Sequence, residues 1–387
     1  MPELKPEDVF TPAFTTQPAG GEVAKGEKLT VTWATNFTPK RLQVLKYSQG
    51  YCTGTQTLDV NATTANVSAG SEYYIIRAYY NDSNYVDSNK FYITEKEVAE
   101  PTEQVKIKSA ALKLSDDINV LYRTIVPEGY TNPYMVFEFI GKTYTIRDYF
   151  IDENGLYCFY FPGVTPQCMG DNISATLYAT YGTKAYSHTV ASYSVLKYCT
   201  NQLGKSPDAK LKALLSDLLV YGEKSQLFMN YKTDQLVTKG LSLSPSTFPG
   251  LDSSFDQQKL TGTEANVKWS SAGLVLSNNM AMRFGVATGK PENYTYEITI
   301  SGRTTVFTHE DLVEEDGKYY LYYRGIKATE FNKPVTAVIK YNGTPIGKVL
   351  TYSVNTYIYK NQALTNALGD MLRATYNYGK SAESYGG

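Results

Sequence analysis

The sequence predicts a mainly β protein with helical additions: an N-terminal immunoglobulin-like β-sandwich, followed by two tandem repeated β-sandwich-plus-helix modules. Period-two alternation of apolar and polar residues dominates the text. A charged, aperiodic stretch, EKEVAEPTEQ at 95–104, separates an opening segment from the remainder. Beyond it a series of features occurs twice in the same order, most visibly SYSVLKYC at 192–199 and TYSVNTYI at 351–358, each leading through an apolar helical pattern into YG.

In the opening segment, assigned to residues 1–97, Gly-rich turns precede a strand with Leu29, Val31 and Trp33 on one face and Thr30 and Thr32 on the other. EYYIIRAYY and KFYITEK supply further strands, with turn signals between them, as a small sandwich requires. The first repeat is assigned to 105–235 and the second to 255–387. SAALKLSDDINVLYRT aligns with SAGLVLSNNMAMRFG, NGLYCFYFPGV with DGKYYLYYRGI, and SATLYATYG with TAVIKYNG. In that alignment Ile107 corresponds to Trp269, and Tyr157, Phe159 and Phe161 correspond to Tyr319, Leu321 and Tyr323 on an inward face. Tyr160 and Tyr322 fall on the opposite one.

Each repeat closes with YSV, read as the end of a last strand, and then a helix lying as a lid on the sheet. In SPDAKLKALLSDLLVYG, Ser206 is the expected N-cap, with Pro207 and Asp208 in the first turn. Leu211, Leu214, Leu215, Leu218 and Leu219 recur at the spacing of an amphipathic helix, as do Leu364, Leu368, Met371, Leu372 and Tyr376 in the second repeat. Gly222 and Gly379 are expected to let a neighbouring strand approach.

Charge and motif content narrow the function classes. The 37 basic and 38 acidic residues leave no basic footprint for nucleic acid or an anionic membrane, so a neutral partner is expected. No apolar run is long enough to span a bilayer. MPELKPEDVF at the start is polar and unlike a signal peptide, and the Thr-, Asn-, Tyr- and Gly-rich composition suggests mature residues of a secreted or cell-surface protein. Cys52, Cys158, Cys168 and Cys199 show no CxxC spacing and are read as buried small hydrophobes, with one disulfide as the lesser alternative; no metal or other cofactor is expected. The acidic cluster HEDLVEED reads as a solvated loop rather than a catalytic pair, and neither a GxSxG nor an HExxH pattern occurs.

Thirty-five tyrosines against 15 phenylalanines point to rings that are half exposed. Trp33 and Trp269 fall on apolar faces and are expected in the core. The turns PEGYTNPY and KPENYTYE place Tyr130, Tyr134, Tyr294 and Tyr296 beside Asn132 and Asn293 in corresponding loops. A ring that stacks on a pyranose, flanked by amides and hydroxyls, is the chemistry a neutral glycan requires. These six residues, with Tyr160 and Tyr322, are the candidate ligand-binding set. The ordinary alternative is that turn residues make the turns and tyrosine covers them.

The pattern YSVxxY followed by LLxxLLxYG, after an immunoglobulin-like segment, resembles modular secreted or cell-surface proteins of gut Firmicutes. It is similar to the non-catalytic starch-adherence proteins of amylosome-type, dockerin-bearing systems. That resemblance, carried loosely by residues 105–387, implies binding of α-glucan without hydrolysis at the bacterial surface. The alternative expectation is an adhesin or structural spacer whose modules contact proteins.

Overall fold

The structure, a computed structural model, describes residues 10–96, 100–113, 118–276 and 280–386. Most of the polar start, residues 97–99 of the charged stretch, and residues 114–117 and 277–279 of the aligned segments lie outside the described residues. The protein is mainly β, with several sheets and, among the described residues, four α-helices. It divides into two compact units: Met1–Thr102 with Gly182–Lys184, and Glu103–Tyr181 with Ala185–Gly387.

In the first unit a four-stranded sheet runs in the order Tyr51–Leu58, Arg41–Ser48, Tyr73–Tyr79, Tyr85–Asp87. Lys28–Thr32 pairs with Thr64–Ser68, and Gly21–Val23 runs parallel to Ile93–Glu95. Val31, Trp33, Leu42, Val44, Ile76 and Phe91 are buried, so the expected core position of Trp33 holds. The sequence reading passed over the hairpin 41–58. Its two-residue turn needs positive φ at both Gln49 (52°) and Gly50 (78°), and Gln is an uncommon residue there.

In the second unit the sheet Lys106–Lys113, Asn119–Ile125, Tyr157–Phe161, Phe150–Ile151 has the same strand order as Lys268–Leu276, Met280–Ala287, Lys318–Tyr323, Val313–Glu315. A second sheet orders Lys142–Ile146, Tyr130–Phe139, Ile173–Tyr181, Lys184–Tyr193. It corresponds to Arg303–Phe307, Tyr294–Ile300, Val335–Tyr341, Thr344–Tyr352, which gains Lys259–Thr261 at its far edge. The first strand of each half breaks register at corresponding points, Ile107/Ser109 and Trp269/Ser271. Phe137 meets Tyr122 and Phe161 from the other sheet at 5.1 and 5.0 Å between ring centroids, and Trp269 meets Tyr296 at 6.1 Å. Phe159, Phe161, Leu321 and Tyr323 are buried, as their alternation predicts.

The YSV device is a junction between a strand and a short helix that the sequence reading missed. Tyr193 ends its strand, Ser194 caps helix α1 (Val195–Lys205) by accepting the amide of Lys197, and Val195 is fully buried. After α2 (Ala209–Met229), the second half repeats the arrangement. Tyr352 ends its strand, and Ser353 caps α3 (Val354–Asn361) by accepting the Thr356 amide, ahead of α4 (Ala367–Gly386). A serine oxygen satisfies one orphan amide at the helix start while the following valine anchors it in the core.

Three expectations about the long helices need correction. Ser206 is the C-cap of α1; Asp208 caps α2, its carboxylate accepting from the amides of Lys210 and Leu211. A charged acceptor beside the positive helix end outcompetes a serine two residues earlier. The glycines do not admit a strand either. A Cβ at Gly222 would lie 2.9 Å from Met169 Sδ and 3.2 Å from the Pro166 carbonyl, and one at Gly379 would lie 2.5 Å from the Phe331 ring and 3.3 Å from the Ala328 carbonyl. Each glycine therefore receives a 3₁₀ turn, Pro166–Cys168 or Ala328–Glu330. Finally, α2 and α4 do not act only as lids. They pack on each other, with Tyr221 and Tyr378 stacked at 5.5 Å and 10°.

The coil between the halves is fastened to these helices. Asp217 is buried on α2, where its carboxylate accepts from the Ser246 amide and hydroxyl, each at 2.7 Å, and from the Ser381 hydroxyl of α4. Asn377 donates to the Ser246 carbonyl, Phe248 meets Tyr376 edge-on at 5.3 Å, and Gln362 bonds both backbone groups of Leu251.

Asp217→Ala is expected to lower the unfolding free energy by about 2–5 kcal/mol, since the buried Ser381 hydroxyl and the hydroxyl and amide of Ser246 each lose a charged acceptor, read as a lower urea midpoint. Gly379→Ala should destabilise by about 1–3 kcal/mol through overpacking. Gly204→Ala, where a Cβ meets nothing on α1, should stabilise by up to about 1 kcal/mol. Paired melts of these two variants check the sign difference.

Candidate functional site

Alternation decides which tyrosines reach solvent, and one bulge decides it differently in the two halves. In Tyr130–Phe139 the residues Met135, Phe137 and Phe139 point inward, so Tyr134, Val136 and Glu138 point outward. Between Thr131 and Tyr134 the strand carries an extra residue, with Asn132 at φ 52°. That bulge moves Tyr130 to the inner face. Tyr130 is buried against Tyr181 and Tyr186, and its hydroxyl donates to the Glu103 carbonyl at 3.1 Å.

In Tyr294–Ile300 the pairing with Val335–Tyr341 runs without such a shift. Tyr296 is fully buried between Trp269 and the core, its hydroxyl donating to the Pro291 carbonyl at 3.3 Å. Tyr294 is half-buried and tilts against Tyr341, and Asn293 is exposed in the 3₁₀ turn Pro291–Asn293. Tyr130 and Tyr296 therefore present no ring face to a ligand. The eight candidates do not converge: Tyr130, Asn132, Tyr134, Tyr294 and Tyr296 belong to one pair of corresponding sheets, with Asn293 in the turn just before, and Tyr160 and Tyr322 belong to the other pair.

Around Tyr134 the structure builds a ridge. Its ring stacks on Tyr178 of the neighbouring strand at 5.2 Å and 13°, and the Arg147 guanidinium lies 4.5 Å from its centroid. Ser174, Thr176 and Thr180 share the outward face with Tyr178, and Thr176 bonds Thr189 at 2.9 Å. In the second half Thr295 faces Lys340 at the corresponding register position, and Lys340 pairs with Glu297 at 2.6 Å. The aromatic ridge thus belongs to the first half. Tyr178 was legible in SATLYATY, where it alternates with Leu177 and Ala179, whereas Arg147 reaches the ridge from another strand end.

Tyr160 and Tyr322 occupy corresponding outer faces and are half-buried. Tyr160 lies 5.7 Å from Phe150 at the sheet edge, with the Lys113 ammonium 5.1 Å from its ring. Tyr322 donates to Glu315 at 2.5 Å, and Glu315 pairs with Arg283 at 3.5 Å. Burial, then this carboxylate acceptor, hold the Tyr322 hydroxyl above its ordinary pKa. Next to Tyr160 the edge exposes Tyr149, Phe150 and Ile151 at 45%, 43% and 55%. The first unit carries an aromatic face of its own: Tyr47 stacks on Tyr73 at 4.9 Å, while Arg41 and Arg77 cover Tyr79 and Tyr85 at 3.7 Å.

Many of the tyrosines expected at the surface are core residues. Tyr74, Tyr122, Tyr221, Tyr352 and Tyr378 are buried alongside Tyr130 and Tyr296. Tyr74 donates to the Ser68 carbonyl, whereas the Tyr122 and Tyr193 hydroxyls, in rings 5.9 Å apart, find no protein partner. Among the described residues no group of three or more His, Cys, Asp or Glu is placed to hold a metal ion, and no helix is long and apolar enough to cross a membrane.

All four cysteines are free thiols; Cys158, Cys168 and Cys199 are buried, but Cys52 is exposed in the missed hairpin. Burial pushes the Cys199 thiol up to about 12 and raises Cys158 and Cys168. Ellman's reagent at pH 8 is accordingly expected to titrate one thiol in the native protein, lost in Cys52→Ser, and four after denaturation.

Neither a family model nor a curated protein matches the chain. Among solved structures it is similar to one titled "Crystal Structure of Rst D1-D2", at 11% identity over 46% of this chain and 97% of that one, with a TM-score of 0.19, a likeness that carries no argument about fold or function.

Proposed function

We propose that this protein binds a neutral polysaccharide without cleaving it, at the bacterial cell surface or after secretion, with α-glucan as the favoured ligand. The observation that carries the reading is the Arg147–Tyr134–Tyr178 ridge on a hydroxyl-rich sheet face. Aromatic rings that are half exposed and fixed by stacking lose little freedom when a sugar packs on them, and adjacent threonines and serines match sugar hydroxyls as donors and acceptors. Tyr160 and Tyr322 supply secondary contacts on the other sheets. Multiple weak contacts along one polymer raise its apparent affinity through effective concentration.

In the same reading the first unit is an immunoglobulin-like sandwich, and residues 105–235 and 255–387 are two copies of one module. Matching strand orders, corresponding register breaks and the two Ser-capped helices support that reading. A second reading, a module that contacts protein, is favoured by the exposed edge Tyr149–Ile151.

Native electrophoresis in gels containing amylopectin, dextran, xylan or no polysaccharide tests the proposal. Retardation is expected in amylopectin alone. Tyr134→Ala and Tyr178→Ala should each weaken it by about two- to tenfold with little change in melting temperature. Tyr296→Ala should instead unfold the protein early, a core truncation costing about 3–5 kcal/mol. Migration unaltered in every gel would discard the glycan reading in favour of protein contacts.

A further inference from the structure

Beyond the end of α2, the segment 230–239 does far more than terminate a helix. Asn230 supplies the left-handed C-cap at φ 51°, which by itself suffices to stop α2. The chain then makes a second left-handed step at Lys232 (φ 46°) and is fastened back at five residues. Tyr231 donates to Asp171 at 2.8 Å, and Lys232 pairs with the other oxygen of the same carboxylate. The buried Gln226 amide donates to the Gln235 carbonyl at 3.2 Å and accepts from the Val237 amide at 2.9 Å. Thr238 donates to Glu223. Val237, buried, fills the space that Gly170 and Gly222 leave open.

The result is a rigid wall facing the 3₁₀ turn Pro166–Cys168 across a cleft of about 450 Å³, within the range of about 300–1,000 Å³ typical of small-molecule sites. At the corresponding place in the second half, between the turn Ala328–Glu330 and α4, the free space is about 10 Å³. Segment 230–239 thus supplies one side of this concavity.

The lining selects a ligand class. Its charges balance, Asp171 and Asp234 against Lys232 and Lys239, so it offers no net field to an ion. The exposed Gln235 amide offers a donor and an acceptor, and Asn172, whose amide nitrogen donates to the Ala191 carbonyl at 2.8 Å, keeps its side-chain carbonyl for a sugar hydroxyl. Leu196 and Leu236 add apolar surface for the C–H face of a sugar ring.

We propose that this cleft is a separate binding site for a short neutral oligosaccharide, or for the end of a glycan chain whose length packs on the aromatic ridge. The assignment rests on the neutral-glycan reading above but places recognition at residues which that reading does not use. Because the wall is held by Gln226 and Asp171, the ligand meets a preformed surface and pays little to order it.

The test is calorimetric titration of the full chain with maltotriose, isomaltotriose and xylotriose, alongside Asn172→Trp, which fills the cleft from an exposed position, and Gln235→Ala. Tyr134→Ala is the control on the ridge. The expected result is saturable binding of one trisaccharide that is weakened at least fivefold by both cleft variants and unchanged by Tyr134→Ala, with all variants melting as the parent does. Trisaccharide binding that survives both cleft variants, or polysaccharide retardation in the gel with no trisaccharide binding, would overturn the cleft while leaving the polysaccharide reading intact. Absence of binding in both assays would overturn both.

Discussion

The contact between α2 and α4 is the constraint on which the second unit depends. Two corresponding tyrosines, Tyr221 and Tyr378, stack face to face where the helices meet, and the Asp217 carboxylate binds Ser381 on one side and Ser246 on the other. A buried carboxylate is costly unless its acceptors are filled, so this one fixes three segments at once: α2, α4 and the coil joining the halves. That the two halves fall in one compact unit follows from this junction.

The glycines that follow those tyrosines extend the same logic outward. Gly222 and Gly379 let a 3₁₀ turn sit against the helix backbone, which ties each long helix to the strand end preceding that turn. Each half uses a Tyr–Gly pair for two tasks on adjacent faces of one helix, about 100° apart: the ring meets the partner helix, and the missing Cβ admits the turn. Position 222 then acquires a further neighbour in Val237, the apolar anchor of the cleft wall.

Divergence between the halves is concentrated where function is proposed. The inward residues, the serine caps and the register breaks of the first strands correspond, whereas the bulge at Asn132 occurs in the first half alone and the ridge at Tyr134 and Tyr178 gives way to Thr295 and Lys340. Inward positions answer to packing volume, which is shared by any two copies of one architecture. Outward positions answer only to what they touch in solution, so they are free to differ.

The sequence by itself determined the β character, the apolar faces of Tyr157–Phe161 and Lys318–Tyr323, the leucine stripe of α2 and the core place of both tryptophans. These are local consequences of periods of two and 3.6, and of burial. Tertiary structure decided which residues of a periodic strand reach solvent. A single bulge at Asn132 turned Tyr130 inward and left Tyr134 outward, against a loop alignment that treated them alike. It also decided the helix partners, because a stripe states that a face is buried without stating what covers it. Arg147 over Tyr134, Gln226 holding Val237 and Asp217 holding Ser246 join residues far apart in the chain. Periodicity records only neighbours within a turn or a strand, so such contacts have no counterpart in it.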